Sequence, residues 1–145
     1  ECHGTGTALG DPIEVGALKA VLGGQSDQAP KLLLCAGKSV TGHLEGAAGF
    51  AGMLKVCACL QNQEVPPNLH YEKLNPHISL AGSRLVVPEA QTKLAPKDTM
   101  MGVSSFGFGG TNAHAVLLGS RAPAPNNKED FKIAFLFTGQ GSQRV

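Results

Sequence analysis

The feature that most restricts the fold is KLLLCAG at 31–37, an apolar run with no polar alternation, closed by glycine. A half-buried strand alternates polar and apolar side chains, so this run reads as a strand covered on both faces. The cover has to come from helices, and the flanking sequence supplies them. Residues 13–22, IEVGALKAVL, set Ile13, Ala17, Leu18 and Val21 at helical spacing. Asp11-Pro12 marks the entry, with the carboxylate expected to cap and Pro12 suited to the first turn. EGAAGFAGMLKVCACLQN at 45–62 reads as a long apolar helix whose glycines and alanines permit close packing against a sheet or a second helix. Residues 23–31 form a loop, with Gly23 just past the first helix, and 65–76 is extended and punctuated by Pro and Asn. A short strand at 85–87 ends at Pro88, and strands at 100–106 and 112–119 flank a glycine-rich turn, GFGG, at 107–110. Helix, strand, helix, strand, strand, strand is the order of a layered α/β fold.

Composition narrows the function. The 145 residues carry 12 basic and 11 acidic side chains, a net charge of +1, with no charge block to attract nucleic acid or a membrane surface. FKIAFLF at 131–137 is far short of a membrane span. Cys2, Cys35, Cys57 and Cys59 lie in apolar surroundings without disulfide or zinc spacing, so they read as free thiols in a reducing, cytoplasmic compartment. The opening Glu-Cys-His-Gly has neither an initiator Met nor a leader pattern and reads as a cut from a longer chain. SRAPAPNNKED at 120–130 is linker-like, and the apolar FKIAFLFTGQGSQ that follows reads as the start of a new domain over 131–145.

Three glycine-rich stretches, HGTGT at 3–7, GKSVTGH at 37–43 and FGFGGTNAH at 106–114, each follow or close an apolar segment. Loops at the ends of buried strands are where α/β proteins place their sites, and glycine lets backbone N–H groups reach a developing negative charge. A phosphate-loop reading of Gly37-Lys38-Ser39 fails because the required glycine five residues earlier is Leu32. A dinucleotide fingerprint from Gly4 and Gly6 fails at Leu9. His3, His43 and Lys38 remain: neutral imidazole donors suit an enolate or thioester oxyanion, and a nearby ammonium suits charge balance. His70, His77 and His114 read as structural or surface residues. Asp11 and Glu14 read as a helix start, Glu14 with the option of pairing with a site lysine, and Asn112 as a shaper of the glycine turn.

HGTGTALGDPIE, KSVTGHLEGAAGFAG and SSFGFGGTNAHAVL, in this order, closely resemble the C-terminal half of a β-ketoacyl synthase of modular polyketide synthases, over residues 1–119. FLFTGQGSQ resembles the opening of the acyltransferase domain that follows such ketosynthases. The resemblance implies a thiolase-like fold and a decarboxylative Claisen condensation between an acyl thioester and a malonyl-type extender on an acyl carrier protein. It implies that His3 and His43 assist loss of carbon dioxide and stabilise the enolate, with Lys38 as the family's lysine. Thr5 and Thr7 match threonines that bind the phosphopantetheine arm, which serves as substrate carrier; no resident cofactor or metal is implied. Phe108 matches the gate residue, with Gly109 and Gly110 in the same loop, and its N–H matches half of the oxyanion hole. Partners implied are the carrier protein, the adjacent acyltransferase domain and a second copy of the chain.

The departures are equally informative. The family's nucleophilic cysteine belongs to the other half, and Cys2, directly before His3, has no nucleophile-elbow context. The residues given are therefore expected to be inactive alone. Discrete bacterial relatives carry a carboxylate nine residues after the second histidine, where this chain has Gly52. The alternatives left open are a type I fatty acid synthase, a non-condensing loading decarboxylase or structural relative, and an acyl-CoA-using member of the thiolase superfamily.

Overall fold

Helix α1 spans Gly10–Leu22 in the computed structural model, which describes residues 1–24, 29–95 and 99–119 together with the backbone of 133–136. Its entry differs from expectation. The Asp11 carboxylate does not cap the helix; it folds back and accepts the Gly6 N–H at 3.1 Å. The Thr7 hydroxyl takes the orphan N–H of Gly10 instead, also at 3.1 Å. Pro12 does lie in the first turn. At the other end, Lys19 donates to the carbonyls of Ser79 and Ala81, and Arg84 donates to those of Leu22 and Pro30. The helix is thus tied to the loop around residue 80 by polar bonds. Its apolar stripe is not covered as its spacing suggested: Ile13 and Val21 are exposed, and Glu14 is its buried residue.

The run 31–37 contains a shorter strand, β1 (Leu32–Leu33), parallel to β3 (Leu85–Val86). Leu34 extends the pairing by donating to Val86 O, and both Leu34 and Cys35 are buried. Gly37 then opens a four-residue helix, α2 (Lys38–Thr41), which Gly42 ends. A 3-10 turn (Glu45–Ala47) leads into α3 (Ala48–Asn62), so the long apolar helix falls where it was expected. Strand β2 (Glu64–Val65) pairs antiparallel with β4 (Thr92–Lys93), a strand that no pattern of residues announces.

Strands β5 (Thr99–Phe106) and β6 (Asn112–Gly119) form the expected hairpin, in register from Thr99↔Gly119 to Phe106↔Asn112. Gly107 N–H closes the turn on Thr111 O at 2.6 Å. The free edge of β6 is paired by β7 (Ile133–Leu136). Residues 120–130, read as a linker, lie outside the described residues.

Helix α3 supplies the core. Val56 and Leu60 pack on Val103, Ala115 and Leu117 of the hairpin, while Cys59 joins Cys35 and Val65 on the side of the shorter strands. Glycine suits the close approach: a Cβ on Gly49 would stand 3.0 Å from the Ser105 hydroxyl, and one on Gly52 3.0 Å from Val103 Cγ2, both tight contacts. The first two residues stitch the layers together. Glu1 exchanges hydrogen bonds with Gly102 and Ser104 of β5, and Cys2 N–H donates to Cys35 O at 2.7 Å.

Candidate active site

These hydrogen bonds set the direction in which the chain runs on from Cys2 to His3. Glu14, buried in the first turns of α1, accepts the N–H of His3 at 2.7 Å and of Gly4 at 2.9 Å. Its partners are thus backbone groups and not a site lysine. Gly4 takes φ +50 there, a left-handed conformation that favours glycine.

The His3 ring meets two others. Its centroid is 5.5 Å from that of His43 in an edge-on arrangement (82° between planes) and 5.3 Å from that of Phe106. His43 is brought there by α2, whose first residue, Lys38, donates its ammonium to the His3 carbonyl at 2.6 Å. The glycine loop and the end of β5 complete the cluster. All three glycine-rich stretches therefore converge.

The imidazoles share one hydrogen-bonding arrangement. Phe106 N–H donates to His3 Nδ1 at 3.2 Å, and Glu45 N–H donates to His43 Nδ1 at 2.9 Å. A nitrogen that accepts cannot carry the proton, so in each neutral ring the proton sits on Nε2. Burial holds the His3 pKa below its usual range, with Lys38 and His43 pushing the same way and Asp11 opposing them. His3 is therefore a neutral Nε2–H donor at physiological pH. Two Nε2–H donors on neighbouring imidazoles can hold one oxyanion between them.

The other sequence-selected residues lie around this pair. The hydroxyls of Thr5 and Thr7 are 3.2 Å apart on the loop after His3. Phe108 stands fully exposed at the tip of the turn, beside exposed Gly109, while Gly110 takes φ +92. Cys2 points away into apolar surroundings; burial first, then the Glu14 charge, pushes its thiol up to about 12. Cys35 and Cys59 are raised too, chiefly by burial. A cavity of about 540 Å³ lies behind the His3 loop, lined by Cys2, Glu14, Asn68, Tyr71 and His77 among others, and neither site histidine faces it. His70 and His77 are exposed, and His114 Nδ1 is bonded to the Ser104 hydroxyl at 2.9 Å. Among the described residues no cluster of three or more His, Cys, Asp or Glu could hold a metal ion, and no helix is long and apolar enough to cross a membrane.

Two contacts of the site are not announced by the sequence. Phe106 contacts His3 through both ring and backbone; its signal is its place as the last residue of β5, directly before the turn. Glu14 carried a signal only in its spacing, one helical turn beyond the glycine loop.

Residues 1–72 match the β-ketoacyl synthase C-terminal domain, and residues 75–144 match the ketoacyl-synthetase C-terminal extension. The chain belongs to the β-ketoacyl synthase family. With that family comes the thiolase-like α/β fold, and the ketosynthase segment aligns along its whole length with large synthases. Two different components of the phenolphthiocerol/phthiocerol polyketide synthase of Mycobacterium tuberculosis are among them. One is 44% identical over 151 aligned positions, covering 100% of this chain and 8% of that protein. The other is 45% identical over 153 positions, covering 100% and 10%. Solved structures agree. Ketosynthase twelve of the bacillaene polyketide synthase from Bacillus amyloliquefaciens superposes with a TM-score of 0.76 at 39% identity, covering 86% of this chain and 22% of that one. The oxazolomycin ketosynthase domain of Streptomyces albus gives 0.77 at 36%, covering 88% and 24%. The segment thus spans about a tenth of these curated relatives and under a quarter of the solved ketosynthase chains.

Proposed function

We propose that this segment supplies the decarboxylation and enolate-binding half of a ketosynthase site within a polyketide synthase. The observation that carries the reading is the pair of imidazoles, 5.5 Å apart between ring centroids, whose Nδ1 atoms each accept a backbone N–H, which leaves Nε2 of each ring as its free donor position. The names of the relatives favour a polyketide over a fatty acid synthase, and both are transferases of the condensing type.

In this reading the malonyl-type extender arrives on the phosphopantetheine arm of an acyl carrier protein, held by the Thr5 and Thr7 hydroxyls. Its Cα–carboxylate bond breaks, carbon dioxide leaves, and the electron pair passes into an enolate. The enolate oxygen accepts hydrogen bonds from His3 and His43 Nε2–H. Lys38, bonded to the His3 carbonyl, adds positive potential and fixes the turn that carries it. The enolate carbon then attacks the acyl thioester carbonyl, and the tetrahedral intermediate expels the cysteine thiolate. Phe108 gates that acyl site, and its N–H completes the oxyanion hole beside Gly109 and Gly110.

The nucleophile comes from residues outside these 145. Cys2, Cys35 and Cys59, with their raised thiol pKa values, are poor thiolate sources. The segment alone is thus inactive. The parent protein is a cytoplasmic homodimer with an acyltransferase domain downstream.

The test is decarboxylation of malonyl carrier protein and chain extension by the full-length synthase. His3→Ala and His43→Ala are each expected to lower the decarboxylation rate by about 100- to 1,000-fold, the usual loss for one oxyanion donor. Rates within a few-fold of wild type in both variants would remove the role assignment.

A further inference from the structure

Glu1 and Lys55 form the ion pair of the described residues, and it is largely buried, the Lys55 side chain being 20% exposed. Lys55 Nζ is 2.7 Å from Glu1 Oε2, and the Glu1 side chain is only 5% exposed. The other carboxylate oxygen, Oε1, accepts the N–H of Gly37 at 2.5 Å. Both oxygens are thus in use, one on a charge and one on the backbone.

The surroundings are shaped to this carboxylate. A Cβ on Gly37 would come within 2.9 Å of Glu1 Oε1 and 3.3 Å of Lys55 Cδ. A Cβ on Gly52 would stand 3.3 Å from Glu1 Cγ. The carboxylate therefore lies close against two glycines, where any added side chain would press on it. It sits beside a cavity of about 190 Å³ that Lys38 and Ser104 also line.

A largely buried pair is seldom retained for stability alone, because apolar residues of similar volume often serve as well or better. This one has a directional consequence. Gly37 immediately precedes Lys38, whose ammonium holds the His3 carbonyl, and Glu1 lies two residues before His3. The pair therefore fixes the Lys38 turn from one side and the segment leading into His3 from the other. We infer that Glu1 and Lys55 are positioning residues that hold the Gly37–Lys38 turn in register with His3 for decarboxylation. The inference rests on the functional reading above.

The experiment uses the full-length synthase and two half-reactions: decarboxylation of malonyl carrier protein, and acyl loading of the nucleophilic cysteine, which His3 and Lys38 do not serve. Lys55→Met leaves a buried carboxylate unpaired. Glu1→Leu combined with Lys55→Met replaces the pair by apolar residues and keeps the protein folded if the single variant does not fold. In both, decarboxylation kcat is expected to fall by about 10- to 100-fold, the scale of an ångström-sized misplacement. KM and the acyl-loading rate should stay within twofold, and Lys55→Arg should restore most of the kcat lost in Lys55→Met. The inference is overturned if the folded double variant decarboxylates at the wild-type rate. It is equally overturned if both half-reactions fall together with the melting temperature, the mark of a purely structural pair. Failure of the underlying reading shows up separately, as a His3→Ala variant that decarboxylates normally.

Discussion

The Glu14 carboxylate closes on the backbone of His3, accepting its N–H at 2.7 Å while the second oxygen takes the N–H of Gly4 at 2.9 Å. Glu14→Gln keeps the shape but offers one acceptor oxygen for two donors. The unpartnered N–H should cost about 1–3 kcal/mol of stability. Because His3 rides on that backbone, decarboxylation should weaken as well. Urea unfolding of the intact ketosynthase measures the first effect, and an unchanged midpoint would mean that another acceptor replaces the carboxylate.

Acid should destabilise the domain through its histidines. His3 and His114 both have pKa values lowered in the folded state, chiefly by burial. Below the ordinary value of 6.5 the unfolded chain therefore binds more protons than the folded one. The stability these neutral rings contribute is present above that pH and is lost as pH falls through it. Unfolding midpoints measured across this window should drop on acidification, and His114→Gln should flatten the slope. A slope unaffected by the substitution would count against the His114 share.

Cys2 should be chemically quiet despite its place beside His3. With its thiol pushed up to about 12, almost no thiolate is present near neutral pH. Iodoacetamide should leave Cys2 unlabelled in the folded synthase and label it after denaturation, as peptide mass spectrometry can follow. Labelling of native Cys2 at the rate of an exposed thiol would contradict the burial described.

Gly102 makes room for a diagonal neighbour on β6, His114. A Cβ there would lie 2.8 Å from both Cε1 and Nε2 of His114, whose ring is held by the Ser104 hydroxyl. Gly102→Ala should cost about 1–3 kcal/mol through overpacking. Adding His114→Ala removes the obstacle, so the double variant should be less destabilised than the sum of the single changes. Strict additivity of the unfolding energies would show that the two side chains do not meet.

The 145 residues expressed alone should aggregate. Leu9, Ile13, Val21, Phe50, Leu54 and Met100 are each more than 60% exposed, far more apolar surface than isolated residues on a soluble domain present. Light scattering that rises with concentration is the expected readout. A sharp, reversible melting transition of a monomer would refute the expectation.

What could be read in advance followed from residue type and spacing. The long helix and the hairpin were legible because α3 and β5–β6 are eight or more residues long and carry a clear pattern. His3, Lys38 and His43 stood out because glycine-rich loops leave such side chains little else to do. β4, at two residues, is too short for any periodicity to register. Asp11 was misjudged because a carboxylate next to Pro at a helix start can face either the helix or the loop before it, and the Gly6 N–H was the nearer partner. Glu14 was weighed as a partner for a lysine and instead accepts two backbone N–H groups, a role that depends on where His3 lies in space, which helical spacing does not report. The exposed stripe of α1 reflects the same limit: periodicity announces an apolar face without naming what covers it.

The bond from Phe106 N–H to His3 Nδ1 joins the end of β5 to a loop 103 positions earlier in the chain. Anyone building hybrid synthases inherits a constraint from it. A crossover placed between His43 and Phe106 takes the two imidazoles from one parent and the group that sets the His3 tautomer from the other. Chimeras joined upstream of Glu1 or beyond Asn112 keep that partnership within one parental sequence, and these are the junctions that should preserve turnover.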